Sequence, residues 1–146
     1  MRLVSVVTGG AGFIGSHIVD ALVARGHEVR ILDNLSGGHK VNIERHLEND
    51  RVTLVRGDIR GLEANDAVFK GVDYVFHLAA AVGVFNIVKN PLASLVTNIR
   101  GTENVLEAAY AANIPVFLTS SSEVYGKNIS DSLRESDDRI LGSPVT

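Results

Sequence analysis

The sequence contains no cysteine, and its 14 lysine and arginine residues are outnumbered by 17 aspartates and glutamates, which gives a formal net charge of -3. Without cysteine the chain can form no disulfide framework, thiolate metal site or cysteine nucleophile. No Lys/Arg cluster concentrates positive charge, which argues against nucleic acid as a partner. The histidines show no metal-ligand spacing, so we predict no metal site. Small molecules are therefore the expected partners.

Long hydrophobic runs are also missing. No apolar stretch reaches the ~18 residues of a membrane span, and the amino terminus enters a predicted strand after one basic residue, which leaves no room for a signal-peptide apolar region. A chain of 146 residues fits one domain with a substantial core. We expect a single cytoplasmic domain that has no membrane partner.

Short apolar runs alternate with helical patterns along the whole chain. This alternation predicts an α/β fold, a three-layer doubly wound parallel sheet with helices on both faces. Right-handed crossovers favour the strand order 3-2-1-4-5. The five predicted strands cover residues 3–7, 28–32, 52–56, 74–78 and 116–119.

Three glycines follow the first predicted strand directly and open the first predicted helix. Gly9 allows a tight turn, Gly12 lets the backbone approach a phosphate, and Gly15 lets the helix pack closely on the strand. The amide groups and the positive dipole end of that helix then face an anion. The second strand ends at Asp33, about 20 residues on, where a dinucleotide-binding unit has its ribose-binding carboxylate.

The longest predicted helix begins with Asn90 as N-cap and Pro91 as its first residue, and it continues to about Ala112. Gly101 in its middle costs roughly 1 kcal/mol relative to Ala, which indicates close packing against the sheet. Brief helices are expected near 41–47 and 66–70, and a surface loop over 127–146. The positions of the longest predicted helix that keep apolar helical spacing are Leu92, Leu95, Ile99, Thr102, Leu106 and Ala109.

Six motifs, in this order, resemble those of the extended short-chain dehydrogenase/reductase family, in particular its NAD-dependent nucleotide-sugar epimerases, dehydratases and decarboxylases. The resemblance covers residues 1 to about 126 and implies a Rossmann-like NAD-binding domain over 1–146. The motifs are Thr8-Gly9-x-x-Gly12-x-x-Gly15, Leu32-Asp33-Asn34-Leu35-Ser36, Gly57-Asp58-Ile59, His77-Leu78-Ala79-Ala80, Asn98 with Gly101-Thr102, and Ser120-Ser121-Ser122-Glu123-Val124-Tyr125-Gly126.

The resemblance implies that the backbone at Phe13 and Ile14 meets the pyrophosphate, that Asp33 takes the adenosine ribose, and that Asp58 and Ile59 hold the adenine. NAD is favoured over NADP, because the Asp33 carboxylate would repel a 2′-phosphate and Asn34-Leu35-Ser36 supplies no basic residue. The full set of expected cofactor-binding residues is Gly9, Gly12, Phe13, Ile14, Gly15, Asp33, Asn34, Ser36, Gly37, Asp58, Ile59, Leu78, Ala79, Ala80, Asn98 and Ser120. His77 is expected to be a buried structural histidine.

Ser121 matches the family's catalytic Ser/Thr, whose hydroxyl orients the sugar hydroxyl that is oxidised. Glu123 matches an acidic position of the dehydratases and decarboxylases. The residue before it, an acid in the 4,6-dehydratases, is Ser122 here. We therefore expect a 4-epimerase acting on UDP-sugars, with a UDP-glucuronate decarboxylase as the alternative.

The family's catalytic Tyr-x-x-x-Lys is absent from the sequence, as are the later strands and the carboxyl-terminal substrate domain. The chain is therefore expected to be the amino-terminal piece of an enzyme that is a homodimer at full length. A non-catalytic dinucleotide-binding module remains an alternative. For the isolated chain we expect exposed apolar side chains around Leu118, marginal stability, self-association and no turnover of UDP-sugars.

Overall fold

The computed structural model describes residues 2–64, 66–129 and 132–142. The five strands are Val4–Thr8 (β1), Glu28–Asp33 (β2), Val52–Arg56 (β3), Tyr74–His77 (β4) and Val116–Leu118 (β5). The α-helices are Phe13–Ala24 (α1), Val84–Lys89 (α2) and Pro91–Ala111 (α3). Short 3-10 helices cover Lys40–His46, Ile59–Gly61, Ala67–Phe69 and Ser122–Tyr125.

All five strands lie in one parallel sheet with the order β3-β2-β1-β4-β5, as predicted. β1 is central and pairs with β2 on one side and β4 on the other, with Val6 opposite Arg30 and Val75. The strand order therefore reverses between β1 and β4. In an open α/β sheet this reversal creates a crevice at the carboxyl ends of the strands.

Two separate hydrophobic cores cover the two faces of the sheet, because successive strand residues point to opposite sides. Val7 lies in the core that includes Val19 and Leu22 of α1. Its neighbour Val6 lies in the other core, with Val105 and Ala108 of α3. The predicted three-layer arrangement is confirmed.

The position of α3 was predicted to within one residue, but its buried face was not. The buried residues of α3 are Ser94, Gly101, Val105, Ala108 and Ala109. These residues are mostly small, which allows the helix to lie close to the body of the domain. Of the predicted apolar stripe only Ala109 is buried, whereas Leu92, Leu95, Ile99 and Leu106 are exposed.

The start of α3 also differs from the prediction. Asn90 lies at the N-cap position and Pro91 begins the helix, but the Asn90 side chain makes no capping hydrogen bond. Its amide contacts Asn86 Oδ1 instead, at 3.4 Å. No pattern in the sequence predicted α2, which precedes Asn90 and buries none of its side chains.

The remaining elements agree with the sequence to different degrees. The brief helices expected near 41–47 and 66–70 are 3-10 helices over Lys40–His46 and Ala67–Phe69. The expected loop over 127–146 lies partly outside the described residues, and its described part returns to form a parallel bridge between Gly126 and Ile140. Within residues 2–64, 66–129 and 132–142, no helix has the length and apolar character to cross a membrane.

Gly101 packs closely, as predicted, although its partner is not the sheet itself. A methyl group at this position would collide with the side chain of Ile59, in the 3-10 helix that follows β3. Ile59 is itself buried. Gly101 therefore fixes how near α3 lies to the end of β3.

The sheet edge at β5 is the least covered part of the domain. Leu118 is half-exposed, as the sequence predicted, and so is Phe117 beside it. Together with the exposed apolar side of α3, this leaves a large apolar surface open to solvent. Marginal stability and self-association of the isolated chain stay predictions.

Gly101→Ala should lower the free energy of unfolding by about 1 kcal/mol, since overpacking costs roughly 1 to 3 kcal/mol and the better helix propensity of Ala returns about 1 kcal/mol. In an Ile59→Ala background, which lacks both colliding carbon atoms of the Ile59 side chain, the same change should cost less. Urea unfolding of the four proteins of this double-mutant cycle measures the coupling. Strictly additive effects would contradict the contact.

Candidate functional site

The turn between β1 and α1, residues 8–15, is built from backbone contacts that exclude side chains. Gly9 has a φ of +69°, and a Cβ there would lie 2.7 Å from the amide nitrogen of Ala79. A methyl group at Gly15 would collide with the carbonyl oxygen of Gly9. The prediction for Gly15 was therefore wrong in its partner, because at this residue α1 lies against the turn rather than against the strand.

The first amides of α1 have no acceptor within the described part of the chain. Ser16 N–H is bonded to Gly12 O at 3.0 Å, but no hydrogen bond uses the N–H groups of Phe13, Ile14 and Gly15. The Phe13 and Ile14 side chains are exposed around them. Free amides at the positive end of a helix, with a glycine at the N-cap, fit an anionic group such as a pyrophosphate.

Asp33 at the end of β2 holds the glycine turn. This residue is 7% exposed, and its Oδ2 accepts from Ala11 N–H at 2.9 Å. Its Oδ1 accepts from Leu35 N–H at 2.8 Å. Each carboxylate oxygen keeps a second lone pair, so these bonds leave capacity for ribose hydroxyl groups.

Two further contacts hold the same part of the turn. The carbonyl of Ala11 accepts from His39 N–H at 2.9 Å and from the Asn42 side-chain amide at 2.8 Å. Asn42 belongs to the 3-10 helix Lys40–His46, which Arg45 and His46 anchor to Asp20 of α1. Sequence reasoning missed Asn42, since nothing in the local pattern marks an amide 31 residues from its partner.

The carboxylate of Asp58, expected to hold the adenine, is occupied by protein donors. Oδ1 accepts from Arg60 N and Nε, each at 2.9 Å. Oδ2 accepts from Arg60 Nη2 at 2.7 Å and from Asn34 Nδ2 at 3.0 Å. The hydrogen bonds from Arg60 hold the pKa of Asp58 well below its ordinary value, although burial opposes them. Asp58 is therefore a fixed anion that joins the loops after β2 and β3.

The segment after β4 meets the glycine turn on its other side. Leu78 and Ala79 are half-buried, and Ala80 is exposed. Asn98 of α3 contacts Ala81 twice, accepting from its N–H at 2.7 Å and donating to its carbonyl at 3.2 Å. Asn98 thus holds the loop that continues from the strand end.

The expected catalytic residues lie at the end of β5. Ser121 Oγ accepts from Glu123 N–H at 3.3 Å, and both side chains are exposed. β5 is in register with β4, and Thr119 Oγ1 donates to His77 O at 3.1 Å. Ser121 and Glu123 therefore lie at the same sheet edge as the glycine turn, but no hydrogen bond in the described ranges joins them to it. Ser36, Gly37 and Ser120 are also exposed.

The parallel sheet therefore gathers the predicted residues at one edge. Hydrogen bonds join Asp33 to the glycine turn, Asn34 to Asp58, and the Leu78–Ala81 segment to Thr8 at the start of the turn. Together with the free amides of α1, this geometry defines a dinucleotide-binding α/β domain of the doubly wound class. In the part of the chain that the structure covers, no three His, Cys, Asp or Glu side chains group as a metal site would require.

The chain belongs to the NAD-dependent epimerase/dehydratase family, whose model matches residues 5–144. It is 42% identical to UDP-glucuronic acid decarboxylase 1 of Arabidopsis thaliana over 125 residues, covering 86% of this chain and 28% of the relative. It is 44% identical to a putative UDP-glucose 4-epimerase of Methanocaldococcus jannaschii, covering 84% of this chain and 39% of the relative. The chain thus spans well under half the length of these relatives.

A solved structure shares the fold at a TM-score of 0.85 and 31% identity, over 98% of this chain and 44% of the other. That protein is a UDP-glucose 4-epimerase from Stenotrophomonas maltophila with bound NAD and formylated UDP-arabinopyranose. The predicted family and fold class are both confirmed.

Burial lowers the pKa of His77 from 6.5 to about 4, so the folded chain keeps this imidazole neutral. The unfolded chain protonates it near pH 6.5, and its contribution to stability is therefore complete above that pH and is lost as the pH falls towards 4. The loss should amount to roughly 3 kcal/mol.

Urea unfolding of the wild type and His77→Gln between pH 7 and pH 4.5 tests this prediction. The difference in free energy of unfolding between the two proteins should shrink by roughly 2 to 3 kcal/mol as the pH falls. A difference that stays constant with pH would contradict a neutral, buried His77.

Proposed function

We propose that this chain is the NAD-binding domain of a nucleotide-sugar 4-epimerase that acts on UDP-sugars by transient oxidation at C4. The observation that carries the proposal is the glycine turn, where free α1 amides adjoin the buried Asp33 carboxylate. Membership of the NAD-dependent epimerase/dehydratase family supports the same cofactor.

The chain's own residues would divide the binding of NAD among three loops. The amides of Phe13 and Ile14 would bind the pyrophosphate, and Asp33 would accept from the adenosine ribose. Asp58 and Ile59 would lie against the adenine, with Arg60 and Asn34 keeping the Asp58 carboxylate in place. Gly9 and Ala79, whose backbones touch, would form the floor of the cleft.

Ser121 would hold the sugar hydroxyl that is oxidised. Its oxygen already accepts from Glu123 N–H, which leaves the hydroxyl proton free to donate to a substrate oxygen. NAD, when bound, accepts and returns the hydride at the sugar carbon. The family's Tyr-x-x-x-Lys lies nowhere in these 146 residues, so the general base for this step would have to come from outside them.

A decarboxylase acting on UDP-glucuronate is the second candidate. It is favoured by the 42% identity to UDP-glucuronic acid decarboxylase 1 and by the exposed Glu123 carboxylate at the end of β5. An acid at this position is what the resemblance assigns to the decarboxylases. The two candidates share the cofactor and differ in what Glu123 does.

The exposed apolar side chains of α3 and β5 support a homodimer of the longer protein. Leu92, Leu95 and Ile99 of α3 are all exposed, and exposed apolar patches mark interaction sites. We propose that further elements of the subunit and the partner subunit's α3 cover this surface.

Asp33→Ala should weaken NAD binding by about tenfold or more and NADP binding by less, since only NADP suffers repulsion between the carboxylate and its 2′-phosphate. Both cofactors lose the Ala11 contact equally, so the ratio of the two affinities is the informative quantity. Asn42→Ala is the matched control, because it also loosens Ala11 but lies away from the ribose, and it should weaken both cofactors by the same factor. Calorimetric titrations at one ionic strength measure these constants; an unchanged ratio in Asp33→Ala would contradict the assignment.

A chimera tests the reaction. Residues 4–126 would replace the matching segment of the Methanocaldococcus jannaschii relative, and the product would be assayed for interconversion of UDP-glucose and UDP-galactose and for release of carbon dioxide from UDP-glucuronate. Ser121→Ala should lower the rate of the observed reaction by about 10²- to 10⁴-fold.

Glu123→Gln separates the two candidates. It should leave most of the epimerase rate, whereas it should abolish carbon dioxide release if the chain serves a decarboxylase. A chimera that binds NAD and turns over neither substrate would favour the non-catalytic module instead.

A further inference from the structure

A chain of three polar side chains, of which the first two are buried, crosses the middle of the domain from β1 through β4 to α3. Thr8 Oγ1 lies 2.6 Å from His77 Nδ1, and His77 Nε2 lies 3.0 Å from Thr102 Oγ1. Thr8 is fully buried and His77 is 2% exposed. None of the cofactor contacts described above uses these three side chains.

The donors and acceptors along this chain favour one tautomer of His77. Thr8 Oγ1 accepts from the N–H of Ala79 at 3.2 Å and from the N–H of Leu78 at 3.2 Å, the latter shared with the Thr8 carbonyl oxygen at 3.1 Å. A hydroxyl oxygen has two lone pairs and one proton, so with both lone pairs engaged it donates that proton to His77 Nδ1. The ring proton then lies on Nε2 and is donated to Thr102.

At the Thr8 end, this chain of side chains contacts residues that border the cleft. Thr8 Oγ1 accepts from the amides of Leu78 and Ala79, and the backbone of Ala79 lies close against Gly9. On α3, Asn98 lies one turn before Thr102 and holds Ala81 in the same segment. α3 therefore contacts the end of β4 and the segment after it at two points. Asn98 bonds Ala81 directly, and Thr102 bonds the imidazole of His77.

We infer that His77 is a positioning residue for the dinucleotide cleft. Held as its Nε2–H tautomer, it orients the Thr8 hydroxyl so that Leu78 and Ala79 stay at the spacing from Gly9 that the cofactor requires. The inference rests on the proposed function, because it concerns the same NAD site. The two ring nitrogens have different roles. Nδ1 accepts from Thr8 and so positions the residues that border the cleft, whereas Nε2 bonds the ring to Thr102 of α3.

Two substitutions separate the two nitrogens. In His77→Asn the side-chain oxygen can replace Nδ1 as acceptor for Thr8, whereas in His77→Gln the side-chain amide reaches the position of Nε2 and leaves Thr8 without its acceptor. Titration of each folded variant with NAD should give a loss of about threefold for Asn and about tenfold or more for Gln. Thr8→Val, which removes the hydroxyl at nearly constant shape, should match Gln.

A merely structural histidine would give a different result. Both variants would melt at a lower temperature, but their folded forms would bind NAD with equal constants, and that outcome would overturn the inference. Failure of the wild-type chain to bind NAD would overturn the proposed function and this inference with it. Wild-type binding that Thr8→Val retains in full would overturn the inference alone.

The tautomer can be measured on the wild-type protein, so this test does not depend on whether a variant folds. A long-range proton–nitrogen NMR spectrum at pH 7 should give the pattern of an imidazole with a bare Nδ1 and a protonated Nε2 for His77. The signal is assigned by its loss in whichever His77 variant folds, or by its contacts to Thr8 and Thr102. A protonated Nδ1 would overturn the inference.

Discussion

The contact between backbone and backbone at the turn after β1 is the constraint on which the rest of the structure depends. Gly9 takes a positive φ beside Ala79, and Gly15 lies against the Gly9 carbonyl. A side chain could not be accommodated at either place by rotating a neighbour, because the colliding atoms are main-chain atoms. This tight turn brings the first amides of α1 to the sheet edge, where the strand order reverses and a crevice opens.

The sheet edge is held together by polar side chains rather than by a core. Asp33 fastens the glycine turn to β2, Asn34 and Asp58 join the next two loops, and Thr8 with His77 fastens β4 to β1. Each contact has a partner far away in sequence, and the Asp33 contact also satisfies the Ala11 N–H, which would otherwise be left open beside a cleft. The site is thus preorganised by hydrogen bonds between loops, while the two hydrophobic cores fix only the layers beneath.

The sequence was sufficient for the features that arise from local patterns. Strand positions, strand order and the extent of α3 follow from apolar runs, glycines and a proline, and family membership follows from six ordered motifs. What it missed depends on tertiary context. α2 has no buried residue and therefore no periodic signal, and the larger apolar residues of α3 face solvent because small ones face the body of the domain. The pairing of Asp58 with Arg60 and the contact of Asn42 with Ala11 are set by loop geometry that no spacing rule reports.

The central claim is that a dinucleotide binds at the carboxyl edge of β1 with its pyrophosphate on the first amides of α1. Amide chemical shifts of the nitrogen-15-labelled chain, followed during titration with NAD, test it most directly. The account predicts large shifts at Phe13, Ile14 and Ile59 and none at Gly26 and Asp73, which lie at the opposite edge of the sheet. Shifts confined to that opposite edge, or no shifts at millimolar NAD, would contradict it.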